Sequence, residues 1–295
     1  MNNADRLGDH PVVAALLPRC TFAPPGTPVV AALSGGADSA AMTALAVAAG
    51  CRVTAVHVHH GLRAGADDDA AIAAAIADRL GVGHRVEHIA LDDGPNLEAR
   101  ARDARRAVIG TDTMTGHTAD DQAETLLLAL CRGAGATGLA AIRPAPAHPI
   151  LRLRRADTVG LCAELGLRVA EDPSNSDPRF RRNRIRHELL PLIDRVAERD
   201  VAVLLNRTAD LLRDDDDLLD ELSRALDPTD APALASAPAP LARRSIRRWL
   251  AGEGYPPDAA TVSRVLAVAA GEATGCDVGA GRRVERTQQR LRLSN

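Results

Sequence analysis

The chain has 295 residues, a formal net charge of −3 and 46% apolar residues, which is enough for two globular domains and excludes a disordered or fibrous protein. No stretch reaches the roughly 18 apolar residues of a membrane span, and the opening segment, with Asp5, Arg6, Asp9 and prolines after them, is not built as a secretory leader, so a cytoplasmic protein is expected. Cys20, Cys51, Cys131, Cys162 and Cys276 are scattered with no C-x-x-C pair, which excludes a disulfide framework or zinc site and leaves them as core residues.

The first apolar run, Val29 to Leu33, leads into Ser34-Gly35-Gly36-Ala37-Asp38-Ser39 and then into a helical stretch from Ala40 to Ala49. Two adjacent glycines let the backbone turn tightly and bring its N–H groups against a ligand, while a helix start adds unpaired donors and a positive dipole end. The turn is therefore fitted to a phosphate, although it lacks the Gly-Lys-Ser/Thr ending of a Walker loop. The plain alternative is a tight strand-to-helix connection. Further apolar runs at Cys51 to His60 and His84 to Leu91 alternate with helical stretches near 67 to 80 and 96 to 108, as βαβ units around a parallel sheet do. Ligands of such sheets lie beyond the carboxyl ends of the strands, where Ser34 and His57 to Gly61 fall. A fourth strand is expected before Gly116, in the short polar segment Gly110 to Thr115.

Ala119 to Leu130 reads as a helix, Gly133 to Pro149 as a loop, Ile150 to Leu153 as a strand and 155 to 165 as a helix. Asp172-Pro173-Ser174-Asn175 is a turn; a helix carrying Pro191 follows, and then a long one from Val201 to Leu226 with Asp214 to Asp217 on a solvated face. Arg179, Arg181, Arg182, Arg184 and Arg186 run without an acid until Glu188. All 36 basic residues are arginine, whose planar fork binds phosphate and stacks on bases, so this run is read as an RNA contact against the alternative of a solvated helix. Pro228, Pro232, Pro238 and Pro240 mark a linker. Beyond it Arg243, Arg244, Arg247 and Arg248 share one helix face beside Trp249, and Arg282, Arg283, Arg286, Arg290 and Arg292 form a second cluster, again suited to RNA. The organisation expected is a lead-in at 1–27, a catalytic domain at 28–200, a helical connector and linker at 201–240 and a small, mostly helical RNA-binding domain at 241–295.

Three further strings accompany the glycine turn: His57-Val58-His59-His60-Gly61-Leu62-Arg63, Gly116-His117-Thr118-Ala119-Asp120-Asp121-Gln122-Ala123-Glu124-Thr125, and Glu171-Asp172-Pro173-Ser174-Asn175 followed by Arg182-Asn183-Arg184-Ile185-Arg186-His187-Glu188-Leu189-Leu190-Pro191. Together they resemble the PP-loop ATP pyrophosphatase superfamily and, within it, the tRNA(Ile)-lysidine synthase family, in the short form that lacks a further C-terminal domain. The resemblance covers about residues 28 to 200 with named motifs and the tail more faintly. It implies a Rossmann-like α/β domain of parallel strands. It also implies an enzyme that uses ATP and Mg²⁺ to adenylate the wobble cytidine of a CAU-anticodon tRNA(Ile) and joins free L-lysine to C2, turning AUG reading into AUA reading. On that footing Ser34, Gly35, Gly36, Ala37 and Ser39 bind the phosphates, with His57, Gly61, Arg63 and Gly116 on the nucleotide. Asp38, for Mg²⁺ or the incoming lysine, and Asp121 are the candidate Mg²⁺ ligands and, with His117 for proton handling, the catalytic set; the plain alternative for His117 is a structural histidine. Asp120, Asp121 and Glu124 offer an anionic pocket for the lysine ammonium or Mg²⁺; the plain alternative is the ordinary pairing of acids with a helix N-terminus. Arg179, Arg182, Arg184, Arg186, Arg243, Arg244, Arg247 and Arg248 are the tRNA-binding candidates. A homodimer stays open.

Three other readings compete. A PP-loop tRNA thiolase needs a paired or cluster-bearing cysteine arrangement that the scattered cysteines do not supply. Another ATP pyrophosphatase ligase explains the glycine turn but neither the D-D-Q-A-E-T string nor the arginines. A non-catalytic RNA-binding module would be expected to have lost Asp38, Asp121 or a loop glycine, and all are present.

Overall fold

The computed structural model describes residues 3–59, 66–89, 100, 104, 107–170, 172, 176–252 and 256–294. Two compact units divide the chain, Met1–Ala209 and Asp210–Asn295.

In the first unit, two short helices, α1 (Asn3–Gly8) and α2 (Pro11–Leu16), precede the sheet. The sheet is parallel, in the order β1 (Pro28–Ala32), β2 (Arg52–His59), β3 (Gly83–His88). Helices α3 (Ala37–Ala48) and α4 (Ala66–Leu80) make the crossovers, as parallel neighbours require. Pro28 opens its strand, the position at which a missing N–H costs no ladder bond. The expected fourth strand contracts to one bridge on the free side of β1: Met114 donates to the Val30 carbonyl (2.8 Å) and accepts from Ala32 (2.9 Å). The chain thus leaves β1 for β2 on one side while Met114 flanks β1 on the other. Between those two lies the topological switch point, where open α/β sheets place their ligands.

Helix α3 is buried along nearly its whole length, and four of its six alanines, Ala40, Ala41, Ala44 and Ala46, are at 0% exposure. Small side chains let its neighbours approach closely, and Val13, Leu16, Ile150, Leu153, Leu161 and Cys162 join it in one core. Ile150 and Leu153, expected as a strand, form a turn instead. Leu153 donates back to the Ile150 carbonyl (2.9 Å), and its own carbonyl accepts the Ala119 N–H (2.8 Å), so these backbone groups are satisfied outside any sheet. Helix α5 (Ala119–Leu130) follows the bridge, then the short α6 (Ala136–Leu139) and α7 (Arg155–Glu164).

Helix α8 (Arg181–Arg184) passes into a π-helical turn, Ile185–Leu189, and then α9 (Leu190–Ala197). Pro191 has no N–H for the carbonyl four residues back, and Leu190 donates to Ile185, five residues back. The long α10 (Val201–Arg224) contains the unit boundary.

In the second unit, α11 (Ala231–Ser236), α12 (Ala239–Ala251) and α13 (Ala259–Ala270) pack with an antiparallel sheet of β4 (Gly275–Gly279), β5 (Arg282–Thr287) and β6 (Arg290–Ser294). Leu234, Ile246, Leu250, Val265, Val284 and Leu291 form its core. The proline-rich stretch read as a linker therefore carries a helix with Leu234 at 1% exposure. The unit also contains a sheet that the arginine count over 282 to 292 does not announce.

Candidate active site

Beyond β1 the chain turns so that Ser34 and Ser39 meet. Ser34 N–H donates to Ser39 Oγ (3.2 Å), the two hydroxyl oxygens lie 3.1 Å apart, and Ser39 Oγ donates to the Gly36 carbonyl (2.9 Å). Gly35 has φ +92°, and a Cβ there would stand 3.3 Å from the Asp69 carbonyl oxygen, so both conformation and space call for glycine. Gly36 caps α3 with no side-chain acceptor on the first free N–H groups of the helix, leaving them for an anion.

The second motif lies directly on the first. A Cβ on Gly116 would stand 2.8 Å from the Asp38 carbonyl carbon and oxygen and 2.9 Å from Ser39 N, so only glycine lets the segment after Met114 cross the first turn of α3. His57 sits beneath the strand end at 5% exposure with Nδ1 donating to the Leu33 carbonyl (3.0 Å). Burial lowers its pKa and keeps the ring neutral, an anchor for the residue just before the glycine turn. Gly61 and Arg63 lie outside the described residues, as do His60, Glu171, Pro173 to Asn175 and most of the expected helix 96 to 108.

The acids of the third motif converge on arginines. Thr118 and Asp121 form a capping box at the start of α5: the Thr118 N–H and hydroxyl both donate to Asp121 Oδ2 at 2.9 Å. Asp121 Oδ1 is thereby aimed at the Arg155 guanidinium, 3.2 Å away. That guanidinium also reaches Asp38 Oδ2 and Glu124 Oε1, each at 3.4 Å. Glu124 has no exposed surface and holds Arg186 (2.6 Å to Oε1) and Arg182 (2.9 Å to Oε2) as well. Asp120 points the other way, gripped by Nη2 and Nε of Arg154 (2.9 and 3.1 Å) and by the Arg155 N–H (2.7 Å), while Nη1 of Arg154 pairs with Asp200. The environments split the acids. Burial pushes the Asp38 carboxyl up, incompletely offset by the Thr158 hydroxyl and Arg155. Burial also acts against Asp120 and Asp121, but Arg154 for the first, and Arg155 with the Thr118 N–H for the second, outweigh it and hold both below the usual carboxylate range.

His117 is tied to Thr115, whose Oγ1 lies 2.8 Å from Nδ1 of His117 and 2.8 Å from Nδ1 of His148. The two rings meet edge to face with centroids 4.9 Å apart.

Of the predicted residues, the fold brings together the glycine turn, Gly116, Asp38, Asp121 and Glu124, with Asp120 beside them on Arg154. Arg182 and Arg186, predicted to face RNA, turn inward onto Glu124. Arg179 is exposed and pairs with Asp177, and Arg184 pairs with Glu188. In the second unit Arg243 and Arg247 are exposed, whereas Arg244 binds the buried Asp216 (2.7 Å) and Arg248 donates to Ser223 (2.9 and 2.8 Å). Sequence reasoning passed over Arg154, Arg155, Thr158 and His148. Adjacent arginines at the start of a predicted helix, where cations are disfavoured, were the available signal for the first two.

A glycine turn and helix start at the switch point of a parallel sheet, with carboxylates and arginines around it, define a PP-loop nucleotide-handling domain. The family model described as a PP-loop domain matches residues 18–193, and that of the TilS substrate binding domain matches residues 230–292. The tRNA(Ile)-lysidine synthase of Nocardia farcinica (strain IFM 10152) is 46% identical over 248 residues, spanning 78% of each chain. That of Mycolicibacterium paratuberculosis (strain ATCC BAA-968 / K-10) is 46% identical over 239 residues, spanning 76% of this chain and 74% of the relative. The chain belongs to the tRNA(Ile)-lysidine synthase family, a family of ligases. Among solved structures, the U34-tRNA thiolase NcsA from Methanococcus maripaludis superposes with a TM-score of 0.55 at 16% identity, over 72% of this chain and 79% of that one, a likeness of fold alone.

Proposed function

We propose that the protein ligates free L-lysine to C2 of the wobble cytidine of a CAU-anticodon tRNA(Ile), in two steps driven by one ATP at the site just described. The observation that carries this reading is the single guanidinium of Arg155 touching Asp38, Asp121 and Glu124, which makes the phosphate-binding turn and the acidic helix one site.

In the first step the C2 oxygen attacks the α-phosphorus of ATP and pyrophosphate leaves. Ser34 to Ser39 hold the phosphates through N–H and hydroxyl groups at the positive end of α3. In the second step the lysine ε-amine attacks C2, and AMP departs with the former C2 oxygen. Asp120, Asp121 and Glu124 are the carboxylates for the amino acid's ammonium, which takes its place there in competition with Arg154 on Asp120, Arg155 on Asp121, and Arg155, Arg182 and Arg186 on Glu124. His117 takes the proton of the attacking amine, its ring oriented by Thr115.

Asp38 and Asp121 would hold Mg²⁺, which the chemistry of the two carboxylates fits. Asp38 and Asp121 present two hard carboxylates, the usual protein share when a nucleotide supplies other oxygens, and among the described residues no group of three His, Cys, Asp or Glu forms a protein-only metal site. Bound there, it would neutralise charge on the departing pyrophosphate. A thiolase reading finds less support, since burial pushes the Cys20 and Cys162 thiols up to about 12, away from the reactive thiolate.

Purified protein incubated with ATP, Mg²⁺, labelled lysine and a CAU-anticodon tRNA should incorporate label into the RNA. Pyrophosphate release with another acceptor, and no lysine in the tRNA, would overturn the assignment.

A further inference from the structure

The helical segment from Arg181 to Leu189 has two faces with different occupations. Arg182 and Arg186, one turn apart, reach Glu124 on the inner side. On the outer side a cavity of about 360 Å³ opens beside the same segment, floored by Leu128, Ile185, Leu189 and Leu192 and edged by Arg181, Arg184 and Glu188. That size is within the range of small-molecule sites. Leu192 is 47% exposed at its margin. Among the described residues Arg181 forms no ion pair and Arg184 pairs only with the exposed Glu188 at 3.4 Å, a surface pair too weak to hold either side chain in place. The rim is therefore cationic, with one carboxylate in it, above an apolar floor.

We propose that this groove seats an unstacked nucleotide of the bound tRNA other than the cytidine that reacts. The proposal rests on the tRNA reading and extends it to a second contact. Three chemistries meet there that a nucleotide uses together. A base face needs an apolar platform, here Leu189 and Leu192. The flanking phosphates need cations, here Arg181 and Arg184. An exocyclic amine on adenine, cytosine or guanine needs an acceptor, here Glu188, which selects against uracil. An acidic peptide would use the arginines but would meet Glu188 as repulsion.

The test uses the full chain and two variants, Leu192→Trp, which fills the groove, and the double substitution Arg181→Glu with Arg184→Glu. Binding is read by filter assay, and lysine incorporation gives KM and kcat, with CAU-anticodon tRNA and a panel of the same tRNA carrying one abasic site at a position other than the reacting cytidine. Leu192→Trp should raise the tRNA Kd and KM about tenfold, the worth of one seated base, with kcat unchanged. One abasic tRNA should bind wild type correspondingly worse and the filled variant no worse than intact tRNA does. The double substitution should flatten the salt dependence of binding by about one slope unit per arginine. Intact binding by both variants, or abasic losses that are the same in wild type and Leu192→Trp, would overturn the proposal. Should Leu192→Trp misfold by circular dichroism, the two exposed arginines decide the matter alone. Wild type that binds tRNA without adding lysine would instead refute the reaction assigned above, and the binding curves would still judge the groove.

Discussion

Asp38 ionises against the fold, because burial costs its charge more than Thr158 and Arg155 return. Its folded pKa lies above the unfolded one, so that cost is absent in acid and appears as pH rises through the folded pKa. Asp38→Asn should therefore raise the urea midpoint at neutral pH, lose that advantage in acid, and abolish lysine incorporation, as expected where a site keeps a charge that stability disfavours. Equilibrium unfolding at two pH values with a parallel activity assay measures both halves. Asp120 and Asp121 have the opposite sign: their depressed pKa values add stability above the unfolded value, and it is lost as pH falls through the folded one. Glu124, fully buried, balances Arg155, Arg182 and Arg186. Glu124→Gln keeps the shape and removes the charge, and should cost about 3 kcal/mol by taking the shared carboxylate from three partly buried guanidinium groups, of which, among the described residues, only Arg155 and Arg186 keep another. Chemical denaturation that finds Glu124→Gln as stable as wild type would contradict this balance.

At the scale of elements, helix α12 divides its arginines by direction. Arg244 and Arg248 tie α12 to α10 through Asp216 and Ser223, while Arg243 and Arg247 project from the exposed side one turn apart. Arg243→Glu with Arg247→Glu should weaken tRNA binding and lower its salt slope by about two with the thermal midpoint kept. Arg244→Ala should instead lower the midpoint of unfolding, since the buried Asp216 carboxylate loses the guanidinium 2.7 Å from it. A salt titration of Kd beside a melting curve separates the two. Periodicity alone puts the four arginines on one face, because an α-helix places i, i+1, i+4 and i+5 together. Which of them meet a partner depends on α10, distant in sequence. The small sheet was readable by another route. Arg290-Leu291-Arg292-Leu293 alternates strictly, and β6 buries Leu291 while exposing Arg290 and Arg292, so counting charge hid a period of two. For Ile150 to Leu153 the apolar run told of burial truly and of strand wrongly, since an apolar residue reaches the core equally well from a turn.

Across the whole molecule, local chemistry was legible and long-range pairing was not. The residues of the glycine turn, the capping box from Thr118 to Asp121 and the βα alternation are each set by neighbours within a few positions, so the sequence alone determined a phosphate-binding turn after the first strand and an acidic helix start. The motifs also carried the family, because their order and spacing are properties of the chain itself. Tertiary structure decided what those groups face. That Gly116 must be glycine follows from the passage of its segment over Asp38 and Ser39. The acids read as an open pocket are held by arginines from positions 154, 155, 182 and 186, and two arginines read as RNA contacts are their counter-ions. Charge is written in the sequence residue by residue, but the partner that compensates it is chosen by folding, since a buried ion is stable only where distant elements bring its opposite within a few ångströms.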